Sequence, residues 1–391
     1  MMICHKRVAE VSFGILCFFL FFWINDISVF AEDVGSGNQE NVSEQILDMI
    51  DESEIDEMLR ELFPQEKIHL KDVVREIMKG KIELDEKLLE RMVKEQIFYA
   101  LKVNGQGMKY IMILAIGSAL LLNISGIFQT KQISEISFFV LYMLLIGVCL
   151  ASYEVASDWV GDGVKRLVSF MKVLYPVYFV SLTVAKGSFT SMGFYHLTLL
   201  LVVLSEVFVL NVILPMIHFY VITRILNSMQ MEDYLSKLAE FLEMAIGWML
   251  KTMISFMVGL NVIQGLIAPT VDSVKRSFVT KGVEAIPAIG DALGGTTEII
   301  LGTAILIKNS IGVFAAVVCC LLCLAPLLQI AFITISYKIS AAVIQPVSDE
   351  RIVECISGIG EGCRLLMKTV FSSGLLFLLT ITIVACTTSS V

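Results

Sequence analysis

Long apolar runs constrain this chain more than any other feature. Six of them occupy residues 110–128, 136–156, 194–216, 245–268, 311–335 and 369–386. A helix needs about 20 apolar residues to cross about 30 Å of hydrocarbon. Each of these runs meets that need. Two shorter runs, 173–185 and 292–307, are weaker spans and would raise the number to eight. The expected fold is therefore all-α: a polytopic membrane helical bundle over 109–391, preceded by a small extracytoplasmic helical domain. Composition agrees. The chain is 56% hydrophobic and 17% charged, against about 45–50% and about 25% in soluble domains.

The N-terminal 31 residues have the layout of a secretory signal. Lys6 and Arg7 give a positive start, 13–24 is apolar, and Val29-Phe30-Ala31 is a small-x-small site that places cleavage between Ala31 and Glu32. An uncleaved first membrane helix is the alternative. The net charge of −9 arises almost entirely in residues 32–108, which hold nineteen acidic and ten basic groups, whereas 109–391 holds seventeen of each. An acidic segment lacks the clustered Lys and Arg of a nucleic-acid footprint. Within it, apolar positions 46, 47, 50, 55, 58, 59 and 62 follow one helical face up to Pro64. Further helices are expected at 70–79, stopped by Gly80, and from Asp85 to about 101. Some 75 residues form only a small core, so this domain is expected to lean on the membrane part or on a partner. A solvated acidic spacer is the other reading. None of the nine cysteines falls in 32–108, which excludes a disulfide-stapled domain there.

Inside the membrane half, 158–172 is amphipathic, with Val164, Leu167, Val168 and Met171 set against Lys165, Arg166 and Lys172. It reads as an interfacial helix. Residues 340–363 are polar and Gly-rich, with Gly358, Gly360 and Gly362, and Pro326 is expected to kink its span. No phosphate loop, HExxH or GxSxG pattern occurs. The Cys320-Leu-Leu-Cys323 spacing lies in an apolar helix without further ligands, and is expected to be core packing. No cofactor or metal is expected.

Polar residues within spans are more informative. Glu206 lies near the centre of 194–216, where a carboxylate must be neutral, paired, or turned toward protein or water. Lys251 is its candidate partner. Glu206 is either a polar tie between helices or part of a solute path. The last unusual segment is 274–312, VKRSFVTKGVEAIPAIGDALGGTTEIILGTAILIKNSIG. Gly290 and Gly294 make a GxxxG spacing that lets helices approach closely. Pro287 and the pair Gly294-Gly295 argue for a broken or re-entrant element, with Asp291 inside it and Lys308 at a basic end. An amphipathic surface helix is the alternative.

This same segment resembles the stage III sporulation protein AE family of endospore-forming Firmicutes. The resemblance rests on Pro287, Gly290, Asp291, Lys308, Asn309 and Gly312, and on 344–360 (IQPVSDERIVECISGIG). The run Gly294-Gly295-Thr296-Thr297 departs from the more acidic sequence the family shows there. The resemblance implies a non-enzymatic membrane subunit of a sporulation-specific transenvelope channel, similar to a secretion complex, that links mother cell and engulfed forespore and supports late forespore gene expression. It implies residence in the mother-cell membrane around the forespore, with the N-terminal domain in the intermembrane space. The implied partners are other membrane and ring-forming proteins of the stage III sporulation A operon, a secretion-like ATPase, a forespore membrane protein and the bilayer. Self-association is left open. A permease that moves small solutes by itself is the alternative function.

Overall fold

A computed structural model describes residues 53–62, 69–78, 131–186, 188–229, 234–283, 290–346 and 348–387, with isolated positions between 44 and 117. Among the described residues the secondary structure is helical and no strand occurs. The signal segment with Ala31 and Glu32, and almost all of the expected span 110–128, fall outside the described residues.

Two short helices, α1 (Ser53–Leu62) and α2 (Leu70–Met78), come first. Ile55 and Leu59 of α1, with Leu70, Val74 and Ile77 of α2, are buried in the same apolar core as the long helices. α1 packs against the long helix Lys131–Lys186 (α3) and α2 against the long helix Gly290–Ile344 (α7). Asp56 joins the pair: its carboxylate accepts from the Leu70 backbone N–H at 3.0 Å and meets His69 Nδ1 at 2.6 Å. It thus satisfies one of the orphan donors at the start of α2.

Helix α3 (Lys131–Lys186) corrects the expectation of two spans separated by an interfacial helix. It is continuous because its buried face never changes phase. Tyr142, Cys149, Tyr153, Ala156, Val160, Val164, Leu167, Met171 and Leu174 stay on one side across the charged stretch. Hydropathy averages all faces of a helix, so it registers the charges and loses the stripe.

Next come α4 (Ser188–Phe208) and α5 (Leu214–Met229), joined by a π turn at Val209–Ile213. The cause is local. Pro215 has no N–H to give, and the Leu214 N–H bonds the Val209 carbonyl five residues back, widening the turn. Helix α6 (Ser236–Val283) follows, then α7 (Gly290–Ile344) and α8 (Glu350–Thr387). Helix α7 is the central pillar: none of its residues from 303 to 334 is exposed. It packs on α3 and α8, and α8 in turn packs on α3, α5 and α6.

Five apolar stretches in these helices are long enough to span a membrane: Phe139–Val180, His196–Met229, Ser236–Ile263, Thr303–Ile344 and Glu350–Val384. The protein is an all-α membrane protein. The weaker runs 173–185 and 292–307 are not separate elements; they continue α3 and α7. Forty-two residues at about 1.5 Å each make Phe139–Val180 and Thr303–Ile344 about 63 Å long, roughly twice the hydrocarbon thickness.

Candidate functional site

The polar groups that tie this bundle together lie where apolar runs meet charge. Glu243 stands at the start of the apolar part of α6, Lys338 near the end of α7, and Glu361 and Arg364 just before the apolar part of α8. The helices run in alternating directions, so these four positions converge. Arg364 Nη2 donates to Glu243 Oε1 at 2.7 Å, and Arg364 Nε donates to Glu361 Oε2. Lys338 Nζ lies 3.6 Å from Glu361 Oε1. Arg364 is 15% exposed and its two acidic partners about a third or less. Arg224 of α5 lies against Gly358 of α8, close beside this group. Three helices, α6, α7 and α8, thus share one charge network. The sequence reading did not foresee it. Its signal was present as charges of opposite sign at the ends of successive apolar runs.

A second charged contact involves a residue the sequence did single out. Glu206 Oε2 accepts from Lys172 Nζ of α3 at 3.0 Å. Lys251, its expected partner, is exposed and carries no ion pair among the described residues. The correction has a simple cause: α4 packs alongside α3 and brings Lys172 to Glu206. Lys172 is 42% exposed and Glu206 22%.

Neutral groups form further ties. Tyr142 Oη and Ser228 Oγ are 2.9 Å apart, Tyr337 Oη donates to the Cys149 carbonyl at 3.2 Å, and Asn261 Nδ2 donates to Thr380 Oγ1 at 3.1 Å. Such bonds between membrane helices average about 0.6 kcal/mol each. His218 Nδ1 donates to the Leu214 carbonyl at 2.8 Å, which leaves Nε2 to accept from Ser157 Oγ at 3.1 Å. A serine beside an oriented imidazole is the nucleophile–base pair of a hydrolytic site. Here Ser157 sits mid-helix, where neighbouring backbone N–H groups are spent on the helix and none is free to hold an oxyanion. The contact therefore reads as a tie between α3 and α5.

The segment 274–312 is only partly as expected. Pro287 lies in 284–289, outside the described residues. Gly290 and Asp291 open α7, and Gly294 and Gly295 lie within it without interrupting it. Lys308 is not a basic end at a surface but a fully buried residue of the central helix. Among the described side chains, close-packing glycines lie in α8. A Cβ at Gly358 would meet Arg224, one at Gly362 would collide with Val221, and one at Gly374 would collide with Cys323. Gly358 and Gly362 form a GxxxG that faces α5, in the region read from sequence as polar and Gly-rich. Cys319 and Cys323 are buried free thiols and Cys320 is half-buried. Among the described residues no group of His, Cys, Asp and Glu is arranged to hold a metal.

A sequence model of the family described as Stage III sporulation protein AE matches residues 68–388. The chain belongs to that family. It is 24% identical over 294 residues to Stage III sporulation protein AE of Bacillus subtilis (strain 168), covering 74% of this chain and 72% of that protein. No solved structure matches. The family match takes in α2 through α8, and with them every member of the charge network and the Lys172–Glu206 pair. The family is named for a stage of sporulation rather than for a reaction, and the chain is thereby a membrane protein of a sporulation family.

Proposed function

We propose that the protein is a non-enzymatic membrane subunit of a transenvelope channel that joins mother cell and engulfed forespore. Family membership carries this reading. The chain sits in the mother-cell membrane around the forespore, and its acidic N-terminal helices lie in the intermembrane space. There they meet ring-forming proteins made from the same operon, with a secretion-like ATPase on the other side of the membrane and a forespore membrane protein across the gap. Two features support a structural role. The polar contacts between helices described above tie the bundle together, and α1 and α2 are docked on the long helices rather than tethered as a separate unit. Affinity purification of the full chain from sporulating cells tests the proposal. Co-purification with the operon's membrane and ring proteins, and no solute flux when the chain is reconstituted alone, is the expected outcome. Flux of a defined solute by the chain alone would replace this reading with that of a permease.

A further inference from the structure

The C-terminal half of α3 carries an exposed face that hydrocarbon cannot cover. Glu154, Asp158, Asp162, Lys165, Arg166, Ser169 and Lys172 are all exposed, and their spacing keeps them on one side of the helix. The opposite side, from Tyr153 through Val160, Val164 and Leu167 to Leu174, is buried in the bundle. Glu154, Asp158, Asp162, Lys165 and Arg166 carry no ion pair or hydrogen bond among the described residues. Only Lys172, at the end of the row, is paired.

The height of this face is fixed by its neighbours. Ser157 meets His218 and Lys172 meets Glu206, so the row lies beside residues 206–218 of α4 and α5. Those helices present apolar side chains outward at and around that height: Leu200 is 64% exposed, Leu204 and Val207 48%, and Phe219 52%. They belong to the apolar stretch His196–Met229. One side of the bundle is therefore suited to lipid at the same level at which α3 is suited only to water or to polar partners.

We propose that the Glu154–Lys172 face of α3 is the wall of a water-filled passage at the level of the hydrocarbon, occupied by water and small hydrated ions. The order of charge favours water over a second copy. Copies in one membrane are related by rotation about its normal and keep the same direction. Residues of like level then face each other, so Glu154, Asp158 and Asp162 would meet their own kind, as would Lys165 and Arg166. A dry contact of that sort buries like charges, whereas a hydrated gap between copies screens them. The proposal deepens the channel-subunit reading and rests on it for the existence of a passage. Membership of the complex is read by co-purification and the passage by accessibility, so either can fail alone.

The test uses the full chain in membrane vesicles. Cysteines are introduced singly by Asp158→Cys, Asp162→Cys and Lys165→Cys, and at the same level on the apolar side by Leu204→Cys, Val207→Cys and Phe219→Cys. The probe is a charged, membrane-impermeant methanethiosulfonate, with the unsubstituted chain as the baseline for its own thiols. The α3 set is expected to react about tenfold faster or more, because only a hydrated thiol ionises to the reacting thiolate. Protection of both sets would overturn the proposal by showing that lipid or protein covers the α3 face. Equal, rapid reaction of both would overturn it by placing this level outside the hydrocarbon. A water-soluble carbodiimide with an amine nucleophile, applied to the unsubstituted chain, reads Glu154, Asp158 and Asp162 with no mutation. Modification of these carboxylates is expected, and their complete protection would count against the passage even if every cysteine variant failed to fold.

Discussion

Two charged contacts in this bundle look alike in a drawing and differ in physics. The Arg364 network joins α6, α7 and α8, and its central guanidinium is 15% exposed and serves two carboxylates. The Lys172–Glu206 pair joins α3 to α4 by a single contact, and its ammonium is 42% exposed. A guanidinium held in a fork by two acids loses its solvation once and is repaid twice. An exposed lysine pays rotamer entropy for one contact that water and salt weaken. The network should therefore behave as part of the fold, and the pair as a surface feature.

The strongest way to break this comparison is Arg364→Met. It leaves Glu243 and Glu361 half-buried without their common partner, and loss of hydrogen bonds to charged groups of this kind costs about 1.5–3 kcal/mol. Thermal unfolding of the detergent-solubilised chain should show a large fall in midpoint. The double change Arg364→Met with Glu243→Gln should recover part of it. A midpoint that falls no further than for Lys172→Met would erase the distinction between the two contacts.

Next in size is the glycine contact on the same stretch of α8. Gly362→Ala pushes a methyl into Val221, and overpacking of this kind costs about 1–3 kcal/mol. Gly294→Ala serves as the counterpart, since Gly294 lies in an uninterrupted helix where Ala is the better helix former by about 1 kcal/mol. The expected result is a lower unfolding midpoint for the first and an unchanged or higher one for the second. The reverse order would assign the tighter packing to the Gly290–Gly294 motif.

These two motifs show where sequence was informative and where it was not. Apolar length alone identified a helical membrane bundle, because a run of that kind has few other solutions in water or lipid. The family was legible in residues 274–312 and 344–360. The details of packing were not. Gly358, Gly360 and Gly362 beside Glu361 and Arg364 have the composition of a loop, yet they are one turn after another of α8. Their small size and charge are used against α5, α6 and α7, and that use depends on neighbours far away in sequence. The charges of α3 misled in the same way. Summed along the chain they resemble a surface helix, whereas sorted by face they leave an unbroken buried stripe. The partner of Glu206 lies 34 positions earlier. A lysine in the next span was the natural candidate only because helix adjacency is not written in a single sequence.

The smallest expected effects belong to the residues the sequence placed first. Glu206→Leu removes a carboxylate whose partner is nearly half exposed, and Lys172 can then turn to water. The loss should be below about 1 kcal/mol, the ordinary worth of an exposed pair. Glu206→Gln, which keeps a hydrogen-bond acceptor for Lys172, should lie closer still to the unsubstituted chain. Lys251→Ala touches no described ion pair and should shift stability by less than about 0.5 kcal/mol. The comparison sharpens if all three variants unfold normally but Glu206→Leu alone impairs sporulation. Glu206 would then matter for what passes along or docks against α3 rather than for holding α3 to α4. Normal sporulation with Glu206→Leu would leave the residue no role beyond a weak surface contact.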